Sequence, residues 1–423
     1  MNEDFLSYLW QFQLLKIPLY TTEGCELIIK KPGYKNKDAG PDFKEALIKV
    51  DGSIWAGNVE IHVKSSDWFK HSHQFDPNYK SVILHVVHSH DLIETHTSNL
   101  AIPTLELKSL YDPSLYSRYL NLKSHTLWVP CQKLIQKADP ITIKDMIHSC
   151  SIDRLHRKFK SFKEQMIIAN NDHEQVFFNM LAKNFGFKKN EYAFHILSKS
   201  ISFKLIKKHL HDPLQLEALF FGQAGFLDDE FEESYPQSLA KEYQFLKHKH
   251  GLTPIEKSYW NFLRLRPSNF PTIRIAQLCS LLLKEKQLLR SVLEAETPKQ
   301  LLAVFGSTPN EFWDTHYHFN KISSSKHKQI GTDGVILLII NTVIPFIFGL
   351  GELTSTSSLK SRAIEILESL KPEQNSILRQ WKACEIRVSN ALESQGLIEL
   401  KKEYCDKKRC LECKIGAKLI GSS

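Results

Sequence analysis

Between Gly40 and Trp68 the chain reads GPDFKEALIKVDGSIWAGNVEIHVKSSDW. Glu60, His62 and Lys64 occupy alternate positions of one segment, so in a strand they share a face. Asp42 stands just before EALIKVDG, and a hairpin around Asp51 and Gly52 would fold it back beside Glu60. Two carboxylates next to a basic group can hold Mg²⁺ or Mn²⁺ against a scissile phosphate, while the base orients water or stabilises developing charge. The expected chemistry is metal-dependent hydrolysis, with Asp42 and Glu60 on the ion and His62 or Lys64 assisting. The competing readings of the same residues are an ordinary turn followed by a solvated cross-strand pair, and a different metal or hydrolase site.

More ligand types follow the strand: Asp67, Trp68, His71, His73, Asp76 and Tyr79, then His85, His88 and His90 in SVILHVVHSH. His85 and His62 belong to neighbouring strands that can face one site. No HExxH or similarly spaced set marks a zinc hydrolase. His62, His71 and His73 stand out because they cluster with carboxylates.

The elements that must position these residues fall in an α+β order. Residues 1–20 read as an amphipathic helix, with Phe5, Leu6, Leu9, Trp10, Phe12 and Leu15 on a broad apolar stripe. From about 25 to 110 the period becomes two, and ELIIKKPG, EALIKVDG, VEIHVKSSDW, SVILHVVHSH and IPTLELKS read as strands between turn signals. From about 139 the pattern is helical. The apolar run GVILLIINTVIPFIFGL, residues 334–350, contains an Asn and a Pro and falls short of a span of roughly 20 residues, so it reads as a buried helix kinked near Pro345. The expected organisation is an N-terminal mixed-sheet α/β domain over 1–125, a helical body over 126–380 and a small basic cysteine module over 381–423.

Two further features suit a phosphate-bearing partner. FLRLRPSNFPTIRIAQ places Arg264, Arg266 and Arg274 around two prolines, where guanidinium groups either grip phosphate or clamp a helix end. DRLHRKFKSFK, residues 153–163, reads as a basic run that either follows a nucleic-acid backbone or forms a solvated helix face. Near the C-terminus Cys384, Cys405, Cys410 and Cys413 give C-x20-C-x4-C-x2-C, a thiolate set suited to Zn²⁺ and, as a second candidate, to an iron–sulfur cluster.

Composition bounds these readings. With 423 residues, 42% hydrophobic and 24% charged, the chain can bury a sizeable core. A net charge of +8 and a pI near 8.8 mildly favour an anionic partner such as nucleic acid. The N-terminus carries acidic residues where a secretory signal carries basic ones, and the eight cysteines are too few for a disulfide scaffold, so a reducing, cytoplasmic setting without a membrane is expected.

The order Pro41-Asp42, an intervening strand, then Glu60-Ile61-His62 resembles the PD-(D/E)XK nuclease core. That resemblance implies a restriction-endonuclease-like fold, phosphodiester cleavage in DNA or RNA, and an extra helical carboxylate, here Glu3 or Asp4. His62 stands where the pattern has lysine; imidazole is largely neutral at pH 7, and Lys64 on the same face is the substitute. The combination of PGYKNKDAGPDF, WAGNVEIHVKSSDWFKH, YKSVILHVV, LRLRPSNFPTIRIAQ, NTVIPF and EYCDKKRCLECKIG closely resembles, over essentially the whole chain, the bacterial family known as domain of unknown function 2851, frequent among Bacteroidetes. The functional alternatives are a non-catalytic nucleic-acid-binding or interaction protein on a degenerate core, and a hydrolase of a small phosphorylated substrate.

Overall fold

A computed structural model describes residues 1–36, 39–92, 102–124 and 126–421; Lys37 and Asp38 of the PGYKNKDAGPDF stretch lie outside the described residues. The chain divides into two units, Met1–Ile147 with Leu400–Ser423, and His148–Glu399.

In the first unit helix α1 spans Glu3–Gln11, opened by the Asn2 side chain, which accepts the Phe5 amide. Phe5, Leu6, Leu9 and Trp10 are its buried stripe. The helix is shorter than the periodicity suggests. After Phe12 the chain turns through Gln13 at φ 50° and the Leu14 amide returns to the Leu9 carbonyl.

Seven strands follow: β1 Leu19–Tyr20, β2 Glu26–Lys31, β3 Tyr34–Lys35, β4 Phe43–Val50, β5 Ser53–Lys64, β6 Val82–Ser89 and β7 Thr104–Glu106. They form one mixed sheet in the order β1-β2-β4-β5-β6-β7, with β3 on the start of β4. The β1, β2, β4 and β5 pairings are antiparallel; β5, β6 and β7 run parallel. The Thr22 amide, just past β1, donates to the Thr104 carbonyl of β7 at 2.8 Å, so the sheet nearly closes on itself.

The β4–β5 hairpin is the one expected from its sequence. Asp51 at φ 44° and Gly52 at φ 86° form a tight turn with both central residues left-handed, which matches the twist of the flanking strands. The parallel β5–β6 pair instead needs a crossover. It occupies residues 65–81, with α2 over Asp67–Lys70 and short 3₁₀ turns at His73–Phe75 and Pro77–Tyr79. Both ends are pinned: Ser65 and Ser66 bond the Asp91 carboxylate, and Asn58 bonds Ser81 through backbone and side chain.

The second unit is helical around a large aliphatic and aromatic core. Gly222 lets its helix, Pro213–Gln223, lie against Tyr243; a Cβ there would meet the ring at 2.0 Å, as the small residues of EALFFGQAGF suggest. The apolar helix Thr332–Leu353 is long and apolar enough to cross a membrane by length and composition, yet most of it is buried in this core. Where the sequence suggests a kink, the helix carries a widened π turn at Ile339–Val343, just before Pro345. Proline has no N–H for the carbonyl four residues back, at Asn341, and the Asn184 side chain takes that carbonyl at 3.1 Å.

The basic run 153–163 is in part the solvated helix face, with Arg157, Lys160 and Lys163 exposed, and in part turned to internal partners. Arg154 and Arg157 grip the buried Glu399 carboxylate, and the Lys158 ammonium donates to Asn341 Oδ1 at 3.0 Å. Arg154, largely withdrawn from solvent, and Arg157, about half exposed, clamp that carboxylate, because a buried carboxylate needs compensating donors.

Gly57 governs how closely β5 approaches β6: a Cβ there would lie 2.5 Å from Ile83 Cγ2 and 2.6 Å from the Ser81 carbonyl oxygen, whereas Gly52 has nothing within 4 Å. Gly57→Ala is expected to cost about 1–3 kcal/mol by overpacking against backbone. Gly52→Ala should cost only about 1 kcal/mol, the penalty of left-handed geometry. Urea unfolding of the two variants checks the ranking, and equal losses would show that β5 and β6 are not in this close contact.

Candidate metal centre

Five elements deliver side chains to one place. β5 presents Glu60 and His62, β6 presents His85, the entry to β4 presents Asp42, the crossover presents His71 and His73, and the first turn of α1 presents Glu3. Asp42 and Glu60 are tied reciprocally: the Asp42 amide donates to Glu60 Oε2 at 3.1 Å, and the Ile61 amide donates to Asp42 Oδ2 at 3.0 Å. The register Phe43↔Val59 sets this up by placing their preceding and following residues opposite each other.

The imidazoles converge on His62. Its Nε2 lies 3.1 Å from His71 Nδ1 and 3.6 Å from Glu60 Oε1, and Glu60 Oε1 lies 3.4 Å from His73 Nε2. Among the described residues, His62, His71 and His73 form the group whose ligand atoms all fall within 4.8 Å of one another. Two nitrogens on one tetrahedral ion, each roughly 2.0–2.1 Å from it, lie about 3.3 Å apart, close to the His62–His71 separation. The other His62 nitrogen, Nδ1, lies 2.9 Å from His85 Nε2. When Nε2 offers its lone pair to a metal, the proton sits on Nδ1 and donates to His85, which fixes the ring. Trp68 packs edge-on against His73, and Tyr79 stacks on His73 at 3.8 Å, walling the cluster.

The electrostatics follow from this burial. Glu60 is pushed up to about 8, chiefly by desolvation and then by the Asp42 charge. Burial holds His62 and His85 down at about 3, with neighbouring imidazoles adding to it, so both rings are neutral near pH 7. Desolvation also raises Asp42 and Glu3, and Glu3 senses Asp42 and His71. The site is buried at Glu60 and His62 and reaches solvent at Glu3 and His71. Neutral imidazoles and crowded carboxylates can hold a divalent cation, and this nitrogen-rich set fits a single ion better than an iron–sulfur cluster, which needs thiolates.

Of the residues singled out from sequence, the structure brings Asp42, Glu60, His62, His71, His73 and His85 together. Lys64 is more than half exposed and its ammonium lies 4.0 Å from Asp91. The lysine that Asp42 senses is Lys35, at the end of β3, a two-residue strand too short to read from periodicity. Cys405, Cys410 and Cys413 lie in the first unit and Cys384 in the second. Arg264 and Arg266 are exposed. Arg274 is stacked on Phe187 and bonded to Asn269 and Gln277, and lines a cavity of about 220 Å³ with Lys326, His327 and Lys328.

Fold and centre together define a mixed-sheet protein with a histidine-rich site able in principle to hold a divalent metal, joined to a helical unit. The chain belongs to the family DUF2851, described as a protein of unknown function, whose profile matches residues 3–376. No curated protein and no solved structure matches it.

The Glu60 shift makes the metal-free protein pH-sensitive. Between the ordinary glutamate range and about pH 8 the folded state holds a proton that the unfolded state lacks, so stability falls as pH rises through that window. Chelator-treated protein is expected to lose about 2 kcal/mol between roughly pH 6.5 and 8.5, a loss that Glu60→Gln should flatten. Mn²⁺ or Zn²⁺ should raise the melting temperature more at the higher pH, since the ligand must be ionised. Thermal melts at the two pH values check both statements.

Proposed function

We propose that the first unit is a divalent-metal-dependent phosphodiester hydrolase acting on DNA or RNA, on a divergent PD-(D/E)XK arrangement. The carrying observation is the convergence of Asp42, at the entry to β4, and Glu60, on the antiparallel neighbour β5, with His62, His71 and His73. In this reading Glu60 and the three imidazoles hold the ion. Asp42 and Glu3, at the open side, bind water or a second cation edge. The metal would polarise the phosphoryl oxygen and lower the pKa of water. His62, buried and neutral, serves as a ligand and not as a fixed positive charge; Lys35 is the cation placed to meet charge developing near Asp42. Imidazole donors favour Mn²⁺ or Zn²⁺ over Mg²⁺, which prefers oxygen ligands.

A non-catalytic interaction module with a structural metal is the second reading, favoured by the deep burial of His62 and His85, each at most 1% exposed.

Cleavage assays on single-stranded DNA, duplex DNA and RNA with Mn²⁺, Zn²⁺ and Mg²⁺ separate the two. The nuclease reading expects metal-dependent cleavage that Glu60→Gln or Asp42→Asn lowers by about 100-fold or more, while Lys64→Ala stays within a few-fold. Metal retained by wild type with no cleavage of any substrate would favour the interaction module.

A further inference from the structure

The three last cysteines of the chain share a unit of the fold with Cys131, a residue that their spacing does not reveal. Cys405 closes a wide helical turn, Leu400–Cys405, and its carbonyl accepts the Lys408 amide at 3.1 Å. The chain then folds so that Cys413 N–H donates to the Arg409 carbonyl at 3.2 Å, and Cys413 leads into the helix Lys414–Gly421. The Ile415 and Gly416 amides donate to the Cys413 sulfur, the kind of N–H···S support that orients a metal-binding thiolate. Gly416 is required for this close turn: a Cβ there would lie 2.2 Å from the Cys410 carbonyl oxygen.

The fourth thiol comes from far away in sequence. Cys131 sits in a turn whose carbonyl accepts the Leu134 and Ile135 amides, both at 2.8 Å, and 3₁₀ turn Ile135–Lys137 packs against helix Lys414–Gly421. The Cys405 thiol is within electrostatic range of Cys413, Cys131 and Cys410, and Cys410 is within range of Cys413. Cys131, Cys410 and Cys413 are buried, and all four thiols are free of disulfides. The four share one unit of the fold; Cys384 belongs to the other.

We propose that Cys131, Cys405, Cys410 and Cys413 form a second, four-thiolate metal centre, with Cys131 and not Cys384 as the distant ligand. On binding, four thiols release their protons to solvent as four sulfur–metal bonds form. The centre ties the segment carrying residue 131 to the C-terminal tail, closing a long loop whose ends are costly to hold together by packing alone. Its occupant is a thiophilic metal, either one Zn²⁺ or an iron–sulfur cluster. Two thiolates on one zinc ion lie about 3.8 Å apart. No three of these sulfurs fall within 4.8 Å of one another, so zinc would draw the 405–413 loop inward, whereas a multi-iron cluster bridges wider spacing.

The full-length protein is purified anaerobically, as isolated and after reconstitution with Zn²⁺ alone or with Fe³⁺, sulfide and a thiol reductant. Metal content and absorbance are compared for wild type, Cys131→Ser, Cys410→Ser and Cys384→Ser. The expected result is a chelator-resistant equivalent of zinc, or iron with a broad visible band, lost in the Cys131 and Cys410 variants and kept in Cys384→Ser. Zinc and iron arms identify the occupant, and either supports the centre. Metal content unchanged in Cys131→Ser, lost in Cys384→Ser, or absent from every wild-type preparation overturns it. Mercurial titration of wild type needs no variant: metal release should track consumption of four protected thiols, and release uncoupled from thiol consumption contradicts the assignment.

Discussion

The pairing of His62 with His85 across parallel strands β5 and β6, 2.9 Å apart in a layer that excludes water, is the contact on which the first unit's site depends. A buried imidazole pair satisfies one nitrogen of each ring and leaves His62 Nε2 aimed at His71. Burial keeps both rings neutral, so the lone pair is available where a solvated histidine would be partly protonated. The elements around the pair support that arrangement: the crossover pinned at Asp91 and Ser81, the tight approach at Gly57, and the Trp68 and Tyr79 walls.

The strand face carrying this chemistry was legible because its physics is local. Alternation put Glu60 and His62 on one side, Asp51-Gly52 announced the hairpin, and the hairpin placed Asp42 beside Glu60. The histidines after the strand were visible as candidates, but their meeting with His62 depends on how the crossover turns through α2 and the 3₁₀ turns. Lys35 and Cys131 could not be found this way. One sits on a strand too short to show a period, and the other is a single cysteine distant in sequence from the C-terminal cysteines with which it shares a unit, with no spacing rule to mark it.

In the second unit, apolar pattern was a better guide than charge. The buried helix around Pro345 was readable from composition and the proline, and the small residues near Gly222 signalled close packing. The basic run at 153–163 was legible in part: Lys160 and Lys163 lie on the solvated face, but a charge written along a helix does not say which residues reach an internal partner. Arg154 and Arg157 both reach the buried Glu399 carboxylate, Arg157 from an exposed position, and that carboxylate accounts for where their guanidinium groups lie.

The measurement that bears most directly on the central claim is anomalous diffraction from crystals grown with Mn²⁺ or Zn²⁺, recorded at the metal edge. The account predicts a peak within about 2.3 Å of His62 Nε2, with His71, His73 and Glu60 completing the first ligands and the His62 Nδ1 proton directed at His85. A crystal in which the ion binds elsewhere, or in which His62 turns away from it while His85 stays in place, would contradict the account.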